Sequence, residues 1–185
     1  MEIKPIETIY NGYRFRSRLE ARWAVFFDAL GIKYEYENEG YDLGEAGWYL
    51  PDFWLPKEEV FIEIRPSDKY IYDAKCEALS LMTSKYVLYI AGSPYLHEYQ
   101  ICLYENGKVD IEPFEFADCR RCRGLWLSRI ENHNYGSSDG MIIRLGCDSD
   151  CTAYHAGRYP LPNGERICNA YKKSRGARFE HRECE

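Results

Sequence analysis

Residues 60–65 and 86–91 are two short runs rich in β-branched and aromatic side chains, and the segment between them carries its apolar residues at helical spacing. Ile71, Ala74, Ala78 and Leu81 return with a period near that of an α-helix, so a helix over about 68–82 is expected. Strand, helix and strand in that order bring the two strands together in parallel, because parallel neighbours need a crossover of this length. The run 86–91 is apolar without alternation and closes at Gly92-Ser93-Pro94, the pattern of a strand covered on both faces. A chain with this unit is committed to an α/β arrangement with a sheet that is at least partly parallel.

The residues upstream extend the pattern. Ser17 followed by Glu20 forms an S-x-x-E capping box, and Leu19, Trp23, Phe26 and Leu30 recur at helical spacing until Gly31, so a helix over 17–30 is expected. Residues 33–37, 49–55 and 60–65 then read as a three-strand meander, bounded by Gly47, Pro56 and Pro66. Residues 99–104 and 108–114 form an expected edge hairpin around Asn106-Gly107. The core is thus helix, meander, helix, strand with a mixed sheet. At 185 residues with 45% hydrophobic content, the chain has enough apolar surface to pack it.

After Ala117 the composition turns to Cys, Gly, Arg and Asn, which divides the chain into an α/β domain over 1–117 and a small module over 118–185. Six of the eight cysteines follow residue 118. Cys119 and Cys122 form a C-x₂-C knuckle and Cys147 and Cys151 a C-x₃-C pair; four thiolates in two near pairs match a structural Zn²⁺ site of ribbon type. His155 or Cys168 can replace one of these ligands, with His133 a weaker candidate. Cys76 and Cys102 fall in core elements and read as small buried hydrophobes. Residues 167–181 form an expected basic C-terminal helix, suited either to a DNA backbone or to solvent.

The start lacks a charged-then-apolar leader and no apolar run is long enough to span a bilayer, so a cytoplasmic location without membrane contact is expected. The net charge of −6 is unevenly spread: between residues 35 and 63 Lys57 is the one cation, whereas Arg14, Arg16, Arg18 and Arg22 lie upstream. An acidic centre between basic flanks suits a metal site that also holds a phosphate backbone.

Within that centre, alternate residues of a strand share a face, so Glu63 and Arg65 project side by side while Val60, Ile62 and Ile64 point to the core. Asp52 follows a strand-starting proline, from where its carboxylate can meet Glu63 across a hairpin. Two close carboxylates repel unless a cation lies between them, and Mg²⁺ or Mn²⁺, held by one or two carboxylates with water and substrate phosphate, fits. Glu20 serves either as the cap of its helix or as an outer metal ligand.

The ordered set Ser17-Arg18-Leu19-Glu20, Tyr49-Leu50-Pro51-Asp52-Phe53 and Phe61-Ile62-Glu63-Ile64-Arg65, followed by a helix and a strand, resembles the PD-(D/E)XK nuclease superfamily over roughly residues 13–92. The layout with a cysteine-rich appendage is also similar to small phage-encoded members. The resemblance implies a restriction-endonuclease-like fold and metal-dependent endonuclease activity on DNA. It matches Glu20 to the helical acid, Asp52 and Glu63 to the metal-binding acids, and Arg65 to the catalytic lysine. Arg65 departs from that pattern, because a guanidinium stays charged and cannot abstract a proton. Lys69 or Lys75 can supply an ammonium from a shifted position. The alternative is a nuclease-like scaffold that does not cut and binds DNA or a protein, for instance as a phage inhibitor of a host defence enzyme. One site per chain implies nicking or a homodimer.

Overall fold

A computed structural model describes residues 5–66, 72–95, 99–111, 114–118, 124–129, 143–145, 161–162 and 164–179. It opens with a hairpin of β1 (Thr8–Tyr10) and β2 (Tyr13–Phe15), turned at Asn11-Gly12 where both residues have positive φ. Helix α1 (Arg18–Ala29) follows, capped by Ser17, whose hydroxyl oxygen accepts the Glu20 N–H at 3.2 Å. Gly31, at φ +69, ends it as expected.

Strand β3 (Glu35–Tyr36) is shorter than the expected 33–37, because Glu37 turns left-handed at φ +46 and gives its N–H to Asp52 O. The expected strand over 49–55 is split. Its first part forms β5 (Trp48–Tyr49), paired with β4 (Tyr41–Asp42) in a ribbon of its own; its last part forms β6 (Phe53–Leu55). Pro51, which has no N–H for a ladder, sits at the break. Strand β7 (Val60–Arg65), helix α2 (Ala74–Thr83) and strand β8 (Tyr86–Gly92) form the crossover unit, and β7 and β8 run parallel with Val60 beside Tyr86 and Arg65 beside Ala91. Next comes the hairpin of β9 (Tyr99–Glu105) and β10 (Lys108–Asp110), turned at Asn106-Gly107.

These strands make one mixed sheet of order β10-β9-β8-β7-β6-β3, parallel only at β7–β8. Both faces are covered, so Phe61 and Glu63 are as buried as Ile62 and Ile64, and the face that carries Glu63 and Arg65, expected to lie away from the core, is an interior one except at Arg65. On that face α2 buries Cys76, Leu79 and Ser80 rather than Leu81, which is 64% exposed. Ser80 is accommodated because its hydroxyl donates to Glu77 O and accepts the Gly107 N–H of the neighbouring turn.

On the opposite face lies α1 with helix α3 (Glu165–Gly176), preceded by a second sheet of β11 (Phe114–Asp118), β12 (Leu125–Arg129), β13 (Ile143–Leu145) and β14 (Leu161–Pro162), in the order β13-β12-β11-β14. Phe116 packs on Trp23 and Phe26, and Tyr171 of α3 stacks on Phe26 with ring centroids 4.9 Å apart. One apolar cluster therefore holds side chains from both sides of Ala117. Among the described residues no helix is long and apolar enough to cross a membrane.

Candidate active site

Strands β6 and β7 set the geometry. Their register pairs Phe53 with Ile62 and Trp54 with Phe61, so Asp52, the residue before β6, comes to the Glu63–Ile64 end of β7, where the charge of Glu63 acts on it. The Ile64 N–H donates to Asp52 Oδ2 at 2.7 Å, which fixes the carboxylate against the end of β7. Both acids are buried, Asp52 to 3% exposure and Glu63 to 2%.

Burial, then the charge of Glu63, then that of Glu20 push the Asp52 carboxyl well above its ordinary range. Burial also raises Glu63, against the opposing pull of Arg65 and of the Tyr49 hydroxyl. Arg65 Nη1 pairs with Glu63 Oε1, while Tyr49 OH donates to Glu63 Oε2 at 2.6 Å and lies 3.4 Å from the buried Cys76 thiol. Arg16 reaches in from the far side: its Nη2 pairs with Glu37 and lies 3.5 Å from Asp52 Oδ1.

Glu20 stands close enough to affect Asp52, yet its own oxygens are committed. Oε1 accepts the Ser17 hydroxyl at 2.6 Å; Oε2 accepts the Tyr36 hydroxyl at 2.6 Å and the Arg16 N–H at 3.1 Å. Of its two expected roles, the geometry shows the capping one, displaced by a residue so that the carboxylate also grips Arg16. Lys75 lies at the start of α2, where its ammonium donates to Trp48 O at 2.9 Å. Lys69 lies outside the described residues, as do Cys119, Cys122, Cys147, Cys151, His133 and His155. Cys168 is half-buried in α3.

Sequence reading did not single out Arg16, Tyr36, Glu37, Tyr49 or Asp73 for the site. Asp73 caps α2 through the Lys75 and Cys76 N–H groups, and its charge acts on Glu63. It carried a local signal, an Asp before a helical run; the other four are recruited by tertiary approach.

Among the described residues no three His, Cys, Asp or Glu side chains form a group able to hold a metal. Asp52 and Glu63 are buried hard-oxygen donors, the kind a small divalent cation takes, but each is engaged, Glu63 by Arg65 and Tyr49 and Asp52 by the Ile64 N–H and Arg16, so a cation would displace the Arg65 pair. No protein-family model, no curated protein and no solved structure matches this chain.

Proposed function

We propose that this chain is a Mg²⁺- or Mn²⁺-dependent endonuclease that hydrolyses phosphodiester bonds in DNA, with a PD-(D/E)XK, restriction-endonuclease-like core. The observation that carries the reading is the buried Asp52 at the Glu63–Ile64 end of β7, under the charge of a second acid, a repulsion that a cation relieves. The order β3-β6-β7-β8, with α1 before it and α2 as the crossover, supports the same reading.

A bound divalent cation would lower the pKa of a water nucleophile and neutralise charge on the leaving oxygen. Asp52 and Glu63 would hold it. The Ile64 N–H and the Tyr49 hydroxyl orient those two carboxylates. Arg65 gives charge to the scissile phosphate in the fork geometry of a guanidinium and takes no proton. Glu20 steadies the entrance by gripping Arg16. We further propose that Cys119, Cys122, Cys147 and Cys151 bind one structural Zn²⁺ in the 118–185 segment, with metal analysis of the purified chain as its check.

A second reading, a scaffold that binds DNA or a host protein without cutting, is favoured by the Arg65–Glu63 ion pair, which neutralises one of the two acids internally. Incubation of supercoiled, linear, single-stranded and branched DNA with Mg²⁺ and with Mn²⁺ separates them. Metal-dependent cutting that disappears in Asp52→Asn is expected. No cutting on any substrate by the wild type or by Arg65→Lys, both folded, would leave the binding scaffold.

A further inference from the structure

The sequence holds two basic clusters far apart in the chain, and the packing of α3 on α1 brings them together. Ser174 Oγ donates to Arg22 O at 2.8 Å, a contact between residues 152 positions apart. At the other end Arg166 Nη2 donates to Leu30 O at 2.6 Å, so the two helices run antiparallel over most of α3. On α1 the residues Arg18, Arg22, Phe26 and Ala29 fall at one helical face, and Phe26 and Ala29 lie against α3. Arg18 and Arg22 therefore continue that contact stripe toward the start of α1. Arg22 Nε is buried there without a hydrogen-bond partner among the described residues.

The outer wall is supplied by α3. Ile167, Ala170, Tyr171 and Ser174 face inward, which leaves Lys172, Lys173, Arg175 and, just beyond the helix, Arg178 exposed. A groove of about 520 Å³ runs between Ala29 and Lys172–Lys173, with Glu165 the one acid among its lining residues. Arg175 stands over the Tyr95 ring at 5.5 Å, and Tyr95 follows the end of β8, which is level with Arg65 at the end of β7. In a chain of net charge −6, the exposed side of α3 is a concentrated positive surface on a rigid frame.

We propose that the α1–α3 groove, together with the exposed basic end of α3 beyond it, binds the phosphate backbone of duplex DNA. The twelve residues of α3 span about 18 Å, the length of roughly five phosphates along one strand. That the bound duplex is a substrate rests on the function proposed above, whereas binding itself does not. The test is fluorescence anisotropy of a labelled DNA duplex on full-length Asp52→Asn protein without chelator, which stops cutting and leaves any zinc in place. Adding Lys172→Gln, Lys173→Gln, Arg175→Gln and Arg178→Gln is expected to weaken binding by tenfold or more, and to lower the slope of log affinity against log salt by roughly three. Arg175→Lys with Arg178→Lys alone, which keeps all four charges, is expected to bind like its parent. A control with Gln at Lys57, Lys85 and Lys108, away from the groove, is expected to bind like its parent. The proposal is overturned if the groove variant, with an unchanged melting temperature, keeps its affinity and slope, if the control loses as much, or if an RNA duplex of equal length is preferred. Groove-dependent binding without cutting by the wild type would retain this surface and remove the nuclease; cutting that is indifferent to the groove would do the reverse.

Discussion

Asp52 lies where a carboxylate is least comfortable, 3% exposed and under the charge of a second acid. Its folded-state pKa is raised by burial and by Glu63, so the stabilising contribution of its protonated form is complete below the unfolded value of about 3.9 and is lost as pH rises through the folded value. Asp52→Asn keeps an acceptor for the Ile64 N–H and removes the charge. Its melting temperature without metal is therefore expected to match the wild type near pH 4 and to exceed it at pH 8 by ~2–4 °C per kcal/mol gained. Added Mn²⁺ should raise the wild type and leave the variant unmoved; a variant no more stable at pH 8 than at pH 4, relative to wild type, would contradict the repulsion argued here. Tyr49→Phe tests the other acid. Losing a hydrogen bond to a charged group costs about 1.5–3 kcal/mol, so Mn²⁺ affinity measured by calorimetry should fall by roughly tenfold or more with the fold retained.

At the scale of elements, Ser17 joins two tasks, since its oxygen caps α1 and its proton goes to Glu20. Ser17→Ala is expected to cost about 1–2 kcal/mol in urea denaturation, with Ser17→Thr close to wild type. The same capping box made this helix readable from sequence, just as Asn106-Gly107 announced its hairpin and runs of β-branched and aromatic residues announced β7 and β8. Those signals are local. Asn11-Gly12 between Tyr10 and Tyr13 carries the same hairpin signal, and β1 pairs with β2 across it. The inward face of α2 was misread because Ser80 looks polar until the Gly107 turn satisfies it. At the site, Asp52 and Glu63 were legible because strand register is a local rule, and Glu20 because of its spacing from Ser17. Tyr36 and Tyr49 were not, since each reaches its carboxylate only after the strands and ribbon have packed.

Across the whole molecule, the cores on the two faces of the sheet depend on parts of the chain distant in sequence. Trp23 and Phe26 of α1 are covered by Phe116 of the second sheet and by Tyr171 of α3, so the side chains after Ala117 complete a core begun before it. Tyr171 is 6% exposed and stacked, and truncating a buried aromatic residue costs about 3–5 kcal/mol. If α3 were an appendage, Tyr171→Ala would loosen it alone and leave the first domain's melting unchanged. With a shared core, the variant should lower one cooperative transition, seen at the same temperature by tryptophan fluorescence and by far-ultraviolet circular dichroism. Two separated transitions, with the tryptophan signal unmoved by the variant, would show that the six-stranded sheet stands without α3. A single lowered transition would tie the basic groove and the Asp52–Glu63 pair to one folding unit, the rigid mounting that a site acting on a phosphate backbone requires.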